Sequence, residues 1–223
     1  MRGSITTGAH VSAVVARPEL FERLSAGFAT GVTLVSASPG SGKTVLVRSW
    51  IEAAGLADRT AWVSVQRDEQ DSQRFWLSVV DQLRAVGGPG ELLAPLAPAP
   101  QFDGQALVQR LVAELAGLDQ PVLLVIDDLH ELRAAPAVDQ LAELIARRPA
   151  QLRVILATRH DPQLGLHRLR LAGQLTEIRE ADLQLNLAET HKLLEAAGVR
   201  LDDASLSQLH DRTEGWVAGL RLA

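Results

Sequence analysis

Cysteine is absent from the 223-residue sequence, which excludes disulfides, thiolate metal sites and thiol catalysis and fits a reducing compartment, so the cytoplasm is the expected location. A basic excess is missing too. The net charge is −5 and the pI near 5.7, whereas affinity for duplex DNA rests on clustered Lys and Arg, so this segment is not expected to read DNA by itself. No apolar run approaches the roughly 20 residues of a membrane helix, and the N-terminal MRGSITTGAH lacks the apolar centre of a signal peptide. Residues 1–13 are expected to be mobile. The chain shows no internal repeat and no Ser-His-Asp arrangement, and His160, His167, His191 and His210 are too scattered for metal-ligand spacing.

What is present is an apolar fraction of 47%, enough for one sizeable α/β core with a smaller appendage. The organising stretch is residues 32–44, VTLVSASPGSGKT. Val32, Leu34 and Val35 read as a buried central strand. Pro39, Gly40, Ser41 and Gly42 follow as a tight turn whose small side chains let backbone N–H groups converge on an anion. Lys43 places an ammonium at the β- and γ-phosphates, the Thr44 hydroxyl is positioned for Mg²⁺, and Val45 continues the phosphate-binding segment. Ala37 stands where the motif has its first Gly. Leu46, Val47, Trp50, Ile51 and Ala54 share one helical face, so the strand–loop–helix context that the motif requires is present.

A second informative stretch is PVLLVIDD, residues 121–128, a near-continuous apolar strand ending in two carboxylates at the edge of the ligand crevice. Asp127 is assigned to Mg²⁺ and Asp128 to polarising the attacking water, with the polyphosphate lying between the glycine turn and these acids at a neighbouring strand end. The alternative is an Asp pair capping a turn. An Asp base is about 1.5 Å shorter than a Glu, which implies slow hydrolysis. Further strands are expected at 61–65, 152–158 and 175–179. Arg159, at the end of the fourth, could sense a γ-phosphate or serve only as a surface ion pair.

Ahead of the phosphate loop, Leu20, Phe21 and Leu24 form a short helix that could fold over a base with Arg17, or pack on the sheet with Arg17 solvated. Phe75 and Trp76 recur with Val79, Val80 and Leu83 at helical spacing and are expected in the core. Residues 87–104 concentrate Pro and Gly and read as a surface loop. From Asn186 a capped helix runs to Gly198, a second passes through Leu206 and Leu209, and the final GWVAGLRLA reads as an unfinished helix, suggesting truncation. Strands alternating with helices imply an α/β fold: a mostly parallel sheet with helices on both faces (14–183), followed by the start of a small helical subdomain (184–223).

Four stretches carry a family likeness: ASPGSGKT, VIDDLHEL, ATRHDPQLGLHRLRLAGQLTEIREADL and RTEGWVAGLRLA. In that order they resemble the ATPase module of the MalT-like, large ATP-binding LuxR-type transcriptional regulators, in the STAND class of P-loop NTPases. The resemblance covers about residues 14–223. It implies a switch held as a closed monomer by ADP and released to self-associate by ATP with an inducer. It makes Lys43 and Thr44 the phosphate and Mg²⁺ residues, Asp127 and Asp128 the Walker B pair and Arg159 the sensor, and adds Arg17 to the nucleotide lining. His130 matches the family's His after the acids and is read as structural. Where related proteins carry Gly-x-Pro near the adenine, this chain has Gly215-Trp216-Val217. The family's inducer-sensing repeats and C-terminal helix-turn-helix do not occur in this sequence, so signal and DNA recognition are expected to lie outside it.

Two other functions were weighed against the slow ATPase switch. A phosphotransferase acting on a small acceptor needs an Arg-rich lid, and residues 87–104 contain neither Arg nor Lys. A scaffold holding ADP permanently would keep the loop and never release phosphate.

Overall fold

The computed structural model describes residues 15, 17–86 and 102–222; residues 1–13 and most of the Pro/Gly-rich loop lie outside the described residues. The chain runs α1 (Pro18–Thr30), β1 (Val32–Ser36), α2 (Lys43–Ala53), β2 (Thr60–Ser64), α3 (Ser72–Val86), α4 (Gly104–Ala116) and β3 (Val122–Asp127). It continues through α5 (Ala135–Arg147), β4 (Leu152–Thr158), α6 (His167–Leu171), β5 (Leu175–Arg179) and α7 (Glu180–Leu183). Three helices follow: α8 (Leu187–Ala196), α9 (Asp203–Thr213) and α10 (Val217–Leu222).

The five strands form one parallel sheet in the order β2-β3-β4-β1-β5. Parallel neighbours require crossover connections, which place helices on the sheet faces. Side chains alternate accordingly: Leu124, Ile126, Val154 and Leu156 join one core with residues of α3, α4 and α5. Leu123, Val125, Ile155, Val35 and Ile178 join the other with α1 and α2. Because both faces are covered, β1 and β3 are buried at every position, which is why apolar residues dominate them, with Thr33 and Ser36 the buried polar residues of β1.

The strands expected from the sequence are all present, β2 displaced by one residue at each end. Phe75 and Trp76 are core residues, and the Trp76 indole donates to Gln140 Oε1 at 2.6 Å. The end of the expected loop differs from its reading. Asp103 caps α4 through the N–H groups of Gln105 and Ala106, and Gly104 is already helical and buried. α5 has no counterpart in the sequence reading, although Pro136 at its first turn and the buried series Ala137, Leu141, Leu144 and Ile145 are ordinary helix signals.

Two compact units are distinguished, Pro18–Leu183 and a helical one from Gln184 onward that includes Arg17. In the helical unit Asn186 and Glu189 form a reciprocal capping box at the start of α8, satisfying two otherwise orphaned N–H groups. Leu185, Leu193 and Leu220 make its small core, with Val15, Leu209 and Val217 against them. The Leu185 N–H donates to Gly215 O at 2.9 Å.

In the larger unit α1 lies against β1 and β5 on a face formed by Leu20, Leu24 and Gly27. A Cβ at Gly27 would overlap the Thr33 hydroxyl and stand 3.1 Å from Thr176 Cβ. Gly27→Ala is therefore expected to cost about 1–3 kcal/mol by overpacking, read as a lower urea midpoint at unchanged m-value; an unchanged midpoint would show that α1 can shift freely on the sheet.

Candidate functional site

At the carboxyl end of β1 the chain is still tied to the sheet by the Ala37 N–H, which donates to Thr158 O at 3.2 Å. The loop then turns through Gly40 (φ 74°) and Gly42 (φ 90°), left-handed conformations that glycine adopts without a Cβ penalty. Gly42 is the N-cap of α2, with no side-chain cap and no acid in the first turn. The first-turn N–H groups of Lys43, Thr44 and Val45 are thus left for an external acceptor, at the positive end of the helix dipole. Ala37 is buried in the α1/α2-side core, which explains why a methyl group is tolerated in place of the motif's first glycine.

Lys43 is buried, and its Nζ donates to Ala37 O at 2.7 Å and Ser38 O at 2.9 Å. Burial pulls its pKa below the usual lysine value, while the nearby Asp128, Glu180 and Asp127 oppose the shift. Ser41 Oγ also donates to Ser38 O, at 2.9 Å. Pro39 and Gly40 are exposed and Ser41 is buried.

The two acids are not at a neighbouring strand end, contrary to the sequence reading. β4 lies between β1 and β3, because strand order is set by crossovers that a local motif does not encode. The two ends nevertheless meet: Thr44 Oγ1 donates to Asp127 Oδ2 at 3.0 Å. Asp127 is buried, and desolvation raises its carboxyl pKa, with the Thr44 hydrogen bond acting against the shift. Its other oxygen accepts the Asp128 N–H at 3.0 Å. Asp128 is exposed and sits at φ 54°, ψ 35°, a conformation uncommon for a residue with a Cβ. Its hydrogen bond to Asp127 is made by the backbone, leaving the carboxylate directed by this unusual turn.

Arg159 follows β4 directly and is exposed, and its side chain makes no ion pair among the described residues. It is close enough to Lys43 and His130 to lower the pKa of both. The sequence residues Lys43, Thr44, Asp127, Asp128 and Arg159 thus fall into one electrostatic cluster at the carboxyl ends of three strands. Arg17 is grouped with the helical unit, where its Nε pairs with Glu189 Oε1 at 3.1 Å and its guanidinium donates to Gln184 O at 3.2 Å. It is thus not the solvated residue of the second reading.

Two residues at the site carry no site role in the sequence reading. Glu180 grips the loop, accepting the Ser38 N–H at 2.6 Å on one carboxylate oxygen and the Ser38 hydroxyl on the other. The contact spans 142 residues, so no local pattern could reveal it. His130, read as structural, lies in the short 3₁₀ turn Leu129–Glu131 behind Asp128 and is buried; burial lowers its pKa, and Arg159 lowers it further.

These features fit a polyphosphate with a divalent cation. A buried ammonium held only by loop carbonyls, uncapped helix N–H groups and a desolvated carboxylate are respectively the donors and the cation ligand such a group needs. No cluster of three or more His, Asp or Glu side chains able to hold a metal occurs among the described residues, so phosphate and water would complete the ligand set around Thr44 and Asp127. No helix among the described residues is long and apolar enough to cross a membrane.

The sequence matches the AAA ATPase domain family over residues 18–157. It is 30% identical over 211 residues to the HTH-type transcriptional regulator MalT of Yersinia pestis (strain Pestoides F), spanning 93% of this chain and 23% of the relative. MalT of Yersinia enterocolitica is similar to the same extent, 30% over 211 residues, again across 93% and 23% of the two chains. The chain thus spans less than a quarter of the length of these relatives. Among solved structures, a STAND protein with a tetratricopeptide repeat sensor from Pyrococcus horikoshii superposes with a TM-score of 0.69 at 20% identity, over 96% of this chain and 30% of that one. Cdc6p of Pyrobaculum aerophilum gives 0.56 at 15% identity, over 87% and 54%. At these identities the structures speak for the fold alone, that of a P-loop NTPase. The family match covers well over half of the chain and includes the loop, both acids and the strand beside them, and on that basis the chain belongs to the AAA ATPase domain family.

Proposed function

We propose that this chain is the nucleotide-operated switch module of a MalT-like, LuxR-type transcriptional regulator, resting with ADP and activated with ATP and Mg²⁺, which it hydrolyses slowly. The observation that carries this reading is the pair of buried, opposite charges that do not pair with each other: Lys43 rests on loop carbonyls, and Asp127 on the Thr44 hydroxyl and the Asp128 N–H. Isolated charges are expensive to bury, and a bound metal–polyphosphate would compensate both.

In this mechanism Lys43 leaves the Ala37 and Ser38 carbonyls for the β- and γ-phosphates, with the N–H groups from Gly40 to Val45 around them. Thr44 and Asp127 hold Mg²⁺, which when bound neutralises charge on the phosphate oxygens. Asp128 accepts the proton of the attacking water, and Arg159 binds the γ-phosphate. Loss of that phosphate removes the Arg159 contact, so ATP and ADP differ in what they hold together, which is the requirement for any switch. That difference would set the arrangement of the α/β unit and the helical unit. Inducer sensing, ATP-dependent self-association and DNA binding belong, on this reading, to the larger protein of which MalT-sized relatives are the example.

A permanent ADP scaffold is the main rival, and single-turnover hydrolysis separates the two. Denaturing the purified chain and chromatographing what it releases should yield an adenine nucleotide. Lys43→Ala is expected to weaken ATP and ADP binding by about a hundredfold, from the loss of charge-assisted hydrogen bonds, measured by calorimetry; retained affinity would place the phosphates elsewhere. Asp128→Asn should keep ATP affinity within about threefold while lowering single-turnover phosphate release by about a hundredfold, and unchanged release would remove Asp128 from the chemistry.

A further inference from the structure

His130 differs from the other buried polar side chains near the site. Its side chain is 4% exposed, yet neither ring nitrogen has a hydrogen-bond partner among the described residues. Glu131 Oε1 lies 3.4 Å from Nε2, close enough to count as an ion-pair distance but not aligned to accept a hydrogen bond. The Glu131 carboxylate instead accepts the Asp68 N–H, at 3.2 Å. A buried polar group left without a partner costs about 1–3 kcal/mol, and such groups are few in native structures. The residues flanking the ring's own turn, Leu129 and Leu132, are buried aliphatics. Packing alone would be better served by a third apolar side chain, so a structural role does not account for an imidazole here.

Its position suggests what does. The turn that carries it starts at Asp128 and is closed by the Glu131 N–H, which donates to Asp128 O at 2.8 Å. The ring meets the His160 ring edge-on, at 6.1 Å and 77°, and His160 adjoins Arg159 at the end of β4. Asp128 and Arg159 are among the charged groups closest to it electrostatically, together with Glu131. A buried imidazole without a partner among the described residues is therefore carried on the turn that starts at the water-activating carboxylate and touches the residue next to the guanidinium proposed for the γ-phosphate.

We propose that His130 is a second γ-phosphate reader: with ATP bound, an imidazole N–H donates to a γ-phosphate oxygen or to the water beside it, and with ADP that donor stays unpaired. This rests on the nucleotide reading of the site. It deepens that reading by giving the triphosphate two private contacts, Arg159 from β4 and His130 from the turn after β3. A ligand shifts an equilibrium only by its differential contacts, so the second contact enlarges the bias that ATP imposes.

The test uses the purified chain and its variants His130→Phe and His130→Gln, with melting temperature measured without nucleotide and affinities measured for ADP and for a non-hydrolysable ATP analogue, each with Mg²⁺. The Phe variant removes both unsatisfied nitrogens. It is expected to melt no lower than the parent, to bind ADP within about twofold of the parent, and to lose about tenfold in affinity for the ATP analogue, the magnitude of one hydrogen bond to a charged group. The Gln variant keeps an N–H donor and should recover part of that loss. A parental ATP-to-ADP affinity ratio in both variants would overturn the proposal, as would a fall in melting temperature with the ratio intact, which is the signature of a purely structural ring. Should the Phe variant not fold, His130→Leu, which also lacks a donor, takes its place, a reduced ratio at parental ADP affinity counting for the proposal and a parental ratio against it. If the parent chain binds neither nucleotide, the nucleotide reading itself fails, an outcome distinct from a His130 variant that leaves the ratio unchanged.

Discussion

The architecture turns on a problem of charge: an ammonium and a carboxylate are buried at the ends of β1 and β3, and neither neutralises the other. Lys43 is satisfied by two carbonyls and Asp127 by a hydroxyl and an N–H. Direct pairing would be worth more in isolation, since opposite charges attract strongly where water is excluded. β4 lies between the two strands, and the Lys43 ammonium is taken up by carbonyls of its own loop. Only Thr44, one residue further along α2, reaches across. The strand order thus holds the loop lysine and the strand acid apart while one hydroxyl joins their elements, leaving space and unspent charge for a ligand of the opposite composition.

That arrangement explains which parts of the molecule were legible in the amino-acid sequence. Strands covered on both faces are mostly apolar, so β1, β3 and β4 stand out as largely apolar runs, each with polar residues at its carboxyl end. Lys43, Thr44, Asp127, Asp128 and Arg159 stand out in the sequence because each lies within a few residues of such a run. The order of the strands was not legible, since a crossover length says little about where the next strand inserts. Glu180 was missed for a related reason: it opens a four-residue helix with no periodicity, and its partner Ser38 is distant in sequence. His130 was seen but read as structural, because burial could be guessed from Leu129 and Leu132 whereas the lack of a partner could not. The ion pair of Arg17 with Glu189 depends on a helix more than a hundred residues away, which no local pattern could show.

Ser38 is where the long-range contacts converge. Its carbonyl accepts from Lys43 and Ser41, and its N–H and hydroxyl are both taken by Glu180. Glu180 is itself held in place two residues from Asp182, whose carboxylate accepts the Arg179 N–H at 2.7 Å and the Arg23 guanidinium of α1 at 2.6 Å. Arg179 in turn pairs with Asp161 and Glu177, and Arg170 also binds Glu177. Those hydrogen bonds hold the Glu177 carboxyl at a pKa of about 2. β5 is an edge strand, and pairing its charges along the edge makes it a poor template for another strand while fixing the turn that presents Glu180.

The convergence also bears on how occupancy of the loop could be felt elsewhere. If Lys43 moves to a phosphate, the Ser38 carbonyl loses one of its two donors, while Glu180 keeps its grip on the N–H and hydroxyl of the same residue. Ser41 then remains the donor to the Ser38 carbonyl, and the Ala37 N–H stays on Thr158 of β4. Glu180 belongs to the last element of the α/β unit, and Leu183 at the end of that element is followed directly by Gln184, where the helical unit begins. A change of balance at Ser38 is therefore four residues of chain away from the tether of the second unit. Rigid hydrogen-bonded elements with two alternative sets of partners are the means by which small local changes become large ones. Ser38 thus joins in one residue the loop lysine on one side and, on the other, a carboxylate four residues ahead of Gln184.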